Sequence, residues 1–341
     1  MRIAGAENIT VPSFDRTLRT LDDSGIRWDV EQAVAHGFAA SLLALNAGLS
    51  PEEMRRFIEV AVDAAAGRLQ IGIEMPAASF EVARELLEIV GPMGVSHALL
   101  TVPAGFAPRT DDEVYEAYSS LAEASTVPFV LPVGPVGFPP ELGGGVPWSA
   151  WARLAGEGSA GGVHVTTWMP HVLFAALRMF AGRLEVGIGT PLLLGVMPLL
   201  HEHYGVSWLS PAHWELWQSP QHPHLVSYLE HLRAGRRQQA LEVHWRLAPA
   251  RGIAFGGGLL EPEVDGMPHL ALAKYCSWTV GGNGGVTREP ALHVNPQQRQ
   301  ARRAMLLALG IEPSDESEEQ FLVGRTATRE SSPAAGPNPE R

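Results

Sequence analysis

Two residues have the types and settings that general acid/base chemistry requires. Glu74 follows the apolar run Leu69-Gln70-Ile71-Gly72-Ile73, and His164 lies inside Gly162-Val163-His164-Val165. A carboxyl at the mouth of an apolar element is desolvated and titrates upward, while an imidazole changes charge near neutrality. On facing elements such a pair can serve as acid and base. Each residue also has a plainer reading. Glu74 as a solvated loop carboxylate and His164 as a core histidine bonded to a carbonyl fit the same residues. Amine chemistry is restricted, because Lys274 is the only lysine among 25 basic residues.

The later histidines raise the question of a metal. His201-Glu202-His203 puts two imidazoles at i and i+2 of a helix, where they diverge by about 200°. His222-Pro223-His224 lacks a visible third ligand, and no helical His-x-x-x-His or paired-cysteine spacing occurs. No metal and no cofactor are expected, although Glu74 and His164 holding one across a shared mouth stays as an alternative. Cys276 stands alone, so no internal disulfide can form.

These groups need a frame to position them. Apolar runs at Ile9–Val11, Ala40–Leu45, Leu69–Ile73, Ala98–Val102, Phe129–Val133, Gly162–Val165, Leu184–Ile188 and Val206–Leu209 read as strands. Helices with explicit start signals alternate with them. Ser50-Pro51-Glu52-Glu53 and Thr110-Asp111-Asp112-Glu113 are capping boxes, and Gly67 ends the first of these helices. Eight strands alternating with helices predict an α/β fold, a (β/α)8 TIM barrel over residues 1–212. Leu225–Leu232, Arg237–Leu247 and Leu270–Trp278 then predict an all-helical extension over 213–312 without strands. Residues 313–341, rich in Ser, Glu and Pro, are expected to be a disordered tail. Glu141–Pro147 reads as a loop on the mouth side of the fifth strand, either a lid or a long connection.

Composition narrows the function classes. Of 341 residues 45% are hydrophobic, mean hydropathy is +0.02, and the net charge is −12. An acidic surface does not suit nucleic acid, whose phosphates require a basic one. No run approaches a membrane span, and Met-Arg-Ile-Ala-Gly-Ala-Glu-Asn is not read as a secretory signal. A cytoplasmic enzyme of small molecules is expected.

The order and spacing of several pieces carry a resemblance. They are Val11-Pro12-Ser13-Phe14, Leu49-Ser50-Pro51-Glu52-Glu53, Leu100-Thr101-Val102-Pro103, Val127-Pro128-Phe129-Val130-Leu131, Gly162-Val163-His164, Gly205-Val206-Ser207 and Leu272-Ala273-Lys274-Tyr275. From about Ile9 to Gly310 the chain resembles the dihydrodipicolinate synthase / N-acetylneuraminate lyase family. The resemblance implies a barrel with a helical extension, a homo-oligomer, and a lysine at the end of strand six that forms a Schiff base with a 2-oxo acid. His164 holds that position here. Pro132 stands where the family has a proton-relaying tyrosine, and Gly105 and Phe106 replace a tyrosine pair. Leu45-Asn46-Ala47-Gly48 stands for the carboxylate-holding loop, Gly189 is retained, and Lys274 matches a helical lysine of the extension.

At the strand ends, His164 and Glu74 are therefore expected to be catalytic, with Thr101, Thr166, Gly189, Thr190 and His213 holding substrate. Trp168, Trp208, Trp214 and Trp217 either wall the mouth or pack the extension onto the barrel. The expected activity is that of a lyase (aldolase, hydro-lyase or decarboxylase) on a small oxo acid without an imine. A non-catalytic ligand-binding or assembly member, and a metal-assisted enzyme, are the alternatives.

Overall fold

The computed structural model describes residues 2–134, 137–259, 263–264, 267–288 and 293–327. Eight parallel strands close on themselves in chain order: β1 (Gly5–Thr10), β2 (Ala40–Leu43), β3 (Gln70–Glu74), β4 (His97–Leu99), β5 (Phe129–Val133), β6 (Ala160–Val165), β7 (Glu185–Ile188) and β8 (Trp208–Leu209). Gly5 and Ala6 of β1 pair with Trp208 and Leu209 of β8, which leaves no sheet edge. Seven helices follow the first seven strands: α1 (Asp23–Ala35), α2 (Pro51–Ala65), α3 (Phe80–Val90), α4 (Asp111–Ala122), α5 (Trp148–Gly156), α6 (Pro170–Phe180) and α7 (Met197–Tyr204). The expected (β/α)8 barrel is what the chain forms.

The helices begin where their caps dictate. Ser50 accepts from the Glu53 amide while the Glu53 carboxylate accepts from the Ser50 amide; at α4 only half of the expected capping box forms, since Thr110 accepts from the Glu113 amide but the Glu113 carboxylate accepts from the Arg109 amide. Each helix lays an apolar face on the outside of the barrel; in α2 it comprises Met54, Phe57, Ile58, Ala61 and Ala65. Burying such side chains stabilises by about 1.5–3 kcal/mol each for the larger ones. The expected strand limits shift in two informative places. β1 begins at Gly5, taking in Glu7 and Asn8, and β4 begins at His97; both were expected to start later.

The extension holds α8 (His224–Arg233), α9 (Arg237–Arg246), α10 (Ala248–Gly256), α11 (Leu270–Trp278), α12 (Pro296–Ala308) and α13 (Glu318–Val323). It is not strand-free, since β9 (Glu263–Val264) and β10 (Met267–Pro268) form a short antiparallel pair. A disordered tail from 313 does not hold as far as residue 327. Phe321 is buried against Tyr275 and Trp278, Arg325 donates to the carbonyls of Trp278 and Gly282, and Thr326 donates to Asp22. One aromatic anchor and a set of partly buried hydrogen bonds outweigh the ordering entropy of a polar segment. Residues 328–341 lie outside the described residues. The Glu141–Pro147 connection is a packed one, with Leu142 and Val146 buried and successive turns closed by backbone hydrogen bonds. No helix among the described residues is long and apolar enough to cross a membrane.

Candidate active site

The barrel interior is unusually polar, and glycines make it so. His97 on β4 and Glu7 on β1 are both fully buried, with Nε2 of His97 2.7 Å from Oε1 of Glu7. Trp208 on β8 donates through Nε1 to the other carboxyl oxygen at 3.1 Å. A side chain on Gly72 of β3 would lie 2.3 Å from the His97 ring, so this glycine gives the imidazole its room. The pattern repeats nearer the C-terminal ends of the strands, where His164 is in register with Pro132 of β5. His164 on β6 reaches past β7 to Ser210, which follows β8, with Nδ1 2.7 Å from the hydroxyl. A Cβ on Gly189 would fall 2.3 Å from the His164 ring, and one on Gly187 would fall 2.4 Å from Cβ of Ser210. Two strands on either side of β7 can touch only because β7 carries no side chains there.

His164 is therefore a mouth residue with little exposure. Burial pushes its pKa down to about 4, so the imidazole is neutral at physiological pH. Among the described residues its Nε2 has no hydrogen-bond partner, and it is not sealed from solvent, which makes it the ring atom open to the mouth. Ser210 is otherwise held by its backbone, with its amide on Ile188 and its carbonyl accepting from Trp214 Nε1.

Glu74 ends β3, in register with Leu99 of β4. The residue keeps partial exposure, yet desolvation still raises the carboxyl pKa above its usual range, against hydrogen bonding from Asn46 that lowers it. Asn46 ties this corner together: its Nδ2 donates to the Met75 carbonyl and its Oδ1 accepts from the Ala77 amide. β3 and β6 stand three strands apart in a ring of eight, so Glu74 and His164 approach the mouth from opposite sides and are bonded to different partners.

The remaining expected binding residues are occupied within the protein. Thr101 donates to the Met75 carbonyl, Thr166 to Val133, and Thr190 caps the turn at Leu192. Gly189 serves by lacking a side chain, as described. His213 turns to Glu215, 3.2 Å away, which lines a separate cavity of about 20 Å3 with Asn8, Asp29 and Lys274. Trp208, Trp214 and Trp217 are buried and Trp168 is 62% exposed, so the tryptophans that follow β8 pack the extension and do not wall a pocket. Lys274 is buried outside the barrel, donating to Ser13 at 2.6 Å and paired with Asp29 at 3.2 Å. Among the described residues no three of His, Cys, Asp and Glu are grouped to hold a metal. The contacts that Ser210 makes with His164 and Asn46 makes beside Glu74 are what residue types alone did not show.

The depressed His164 pKa makes stability depend on pH. Between about 6.5 and 4 the unfolded chain binds a proton at this residue that the fold rejects, so stability is full above that window and lost on acidification. Buried His36, also pushed to about 4, acts in the same sense, and Glu74 in the opposite one. Urea denaturation at pH 7 and 4.5 should show His164→Gln losing ~2–3 kcal/mol less than the wild type. Equal losses would mean that His164 is solvated.

Comparisons with known proteins agree on the architecture. No family model matches the chain. A 4-hydroxy-tetrahydrodipicolinate synthase of Methanothermobacter thermautotrophicus is 27% identical over 135 residues, 38% of this chain and 47% of that protein. The chain thus spans about half the length of the curated relative it matches. Dihydrodipicolinate synthase from Aquifex aeolicus superposes with a TM-score of 0.74 at 19% identity, covering 92% of this chain and 100% of that one. N-acetylneuraminate lyase from Fusobacterium nucleatum gives 0.71 at 14%, covering 90% and 99%. The chloride-inhibited dihydrodipicolinate synthase from Acinetobacter baumannii, complexed with pyruvate, gives 0.70 at 22%, covering 91% and 100%. Over nine-tenths of its length the chain has the fold of the dihydrodipicolinate synthases and N-acetylneuraminate lyases.

Proposed function

We propose that the protein is an atypical member of that lyase family which acts on a small oxo acid without forming an imine. The observation that carries this reading is the pair at the mouth: a carboxyl raised by burial on β3, and an imidazole held neutral on β6. Together Glu74 and His164 handle the proton and the charge that develop when a bond beside a carbonyl breaks or forms. The Gly189 amide is held by the Val165 carbonyl, so after β7 it is the Thr190 backbone that would offer a dipole to the substrate carboxylate. Imine chemistry requires a desolvated amine at the mouth. His164 occupies the position that the resemblance gives to the lysine, and Lys274 is committed to Asp29 and Ser13. A cytoplasmic homo-oligomer completes the proposal.

Borohydride reduction in the presence of pyruvate should add no mass to the protein. A stoichiometric adduct on Lys274 would overturn the imine-free reading. Deuterium exchange into C3 of short 2-oxo acids, the carbon beside the ketone, should be catalysed by the wild type. A protein that binds these acids yet exchanges none would instead be the non-catalytic ligand-binding member.

A further inference from the structure

Two buried histidines lie in the barrel, His97 at the start of β4 and His164 near the end of β6, and each bonds a serine hydroxyl through Nδ1. The proton bookkeeping differs between them. Ser96 has its single hydroxyl proton on the Ile71 carbonyl, 2.9 Å away, so toward His97 Nδ1, 2.8 Å away, it can only accept. Nδ1 of His97 therefore carries a proton, and its Nε2 faces Oε1 of Glu7 at 2.7 Å. Ser210 is fully buried, and among the described residues its hydroxyl has one partner, Nδ1 of His164. A buried hydroxyl that donated to nothing would carry a desolvation penalty of about 1–3 kcal/mol. Its proton therefore lies on the line to Nδ1, and the proton of a neutral imidazole is left on Nε2.

We propose that Ser210 is a positioning residue that fixes His164 as the Nε2–H tautomer, so that the ring presents a hydrogen-bond donor, not a base, to the oxygen of a bound oxo acid. The open face of the ring then stabilises negative charge on that oxygen. Proton transfer to and from carbon falls to Glu74 on the opposite side of the mouth. Gly187 and Gly189 are part of the same device, since a side chain at either would break the contact between His164 and Ser210. The tautomer follows from the hydrogen bonds alone, whereas the role of the donor rests on the oxo-acid reading proposed above.

Long-range 1H–15N spectra of the ligand-free, 15N-labelled protein at neutral pH read the tautomer directly. The chain has 13 histidines, so the signals are assigned by difference with His164→Gln and His97→Gln. His164 should show a protonated Nε2 and a bare Nδ1, and His97 a protonated Nδ1. A protonated Nδ1 on His164 overturns the proposal. In Ser210→Ala the His164 signals should collapse toward a mixture of tautomers, with kcat falling about 10-fold and KM little changed. An unchanged Nε2–H tautomer in Ser210→Ala overturns the role of Ser210, and the wild-type spectrum decides the tautomer should that variant not fold. Inactivity on every oxo acid, with the Nε2–H signal intact, would remove the oxo-acid reading and with it the donor role, and leave the tautomer standing.

Discussion

Glu7→Ala should destabilise the protein by about 3–5 kcal/mol, the largest single loss expected from any one side chain in the barrel. The carboxyl is fully buried, and among the described residues Oε1 of Glu7 and Nε2 of His97 have no partner but each other. Truncation strands both that ring nitrogen and Nε1 of Trp208. Glu7→Gln tests the cause. An amide can donate to Nε2 and accept from Trp208 in the same volume, so its cost should stay within about 1 kcal/mol. Urea denaturation monitored by tryptophan fluorescence gives both values. Equal losses in the two variants would show that the fold depends on the charge at Glu7 and not on the hydrogen bonds. A loss under 1 kcal/mol in Glu7→Ala would show that the interior relaxes around the gap.

That pair also explains where the sequence could be read and where it could not. Six of the strands are apolar runs whose limits lie within about two residues of those expected, because their side chains meet hydrophobic helices outside and small residues inside. β1 and β4 were expected to begin after Glu7 and after His97. A pattern of apolar residues treats a carboxylate and an imidazole as solvent-facing, and nothing local shows that the two lie 2.7 Å apart across β2 and β3. α12 was missed for a related reason. Its start signal, Asn295-Pro296 with Gln298 three residues after the cap, is explicit, but Gln-Gln-Arg-Gln-Ala-Arg-Arg hides the face that buries Ala301, Arg302 and Met305. Arg302 is buried by giving its protons to Thr279 and to the carbonyls of Glu215, Leu216 and Cys276, a solution visible only in three dimensions. At the site, the strand-end positions of His164 and Glu74 were legible from barrel geometry. The Ser210 contact was not, because it depends on two glycines of the intervening strand.

Glu74→Gln should lower turnover of an oxo-acid substrate by ~10²–10⁴-fold, the usual worth of a positioned proton carrier. The amide keeps the volume and the approach to Asn46, so the melting temperature should hold or rise, since a carboxyl disfavoured by burial is being neutralised. His164→Gln should also cost activity, by ~10²–10³-fold if the ring supplies a hydrogen bond to developing charge. The two losses have different signatures in pH. Turnover in the wild type should fall on a limb set by Glu74, placed above the ordinary carboxylate range, and that limb should vanish in Glu74→Gln. His164, at about 4, should contribute no limb between pH 5.5 and 8, and His164→Gln should lower the profile without changing its shape there. A limb that disappears with His164 and not with Glu74 would make the imidazole the proton carrier. A His164→Gln variant that melts early but keeps its specific activity would make His164 a packing residue, bonded to Ser210 for stability alone. Because the measured quantities are a profile and a melting temperature, each outcome assigns the residue a different task, and only one combination agrees with a carboxyl that moves the proton while a neutral imidazole holds the charge.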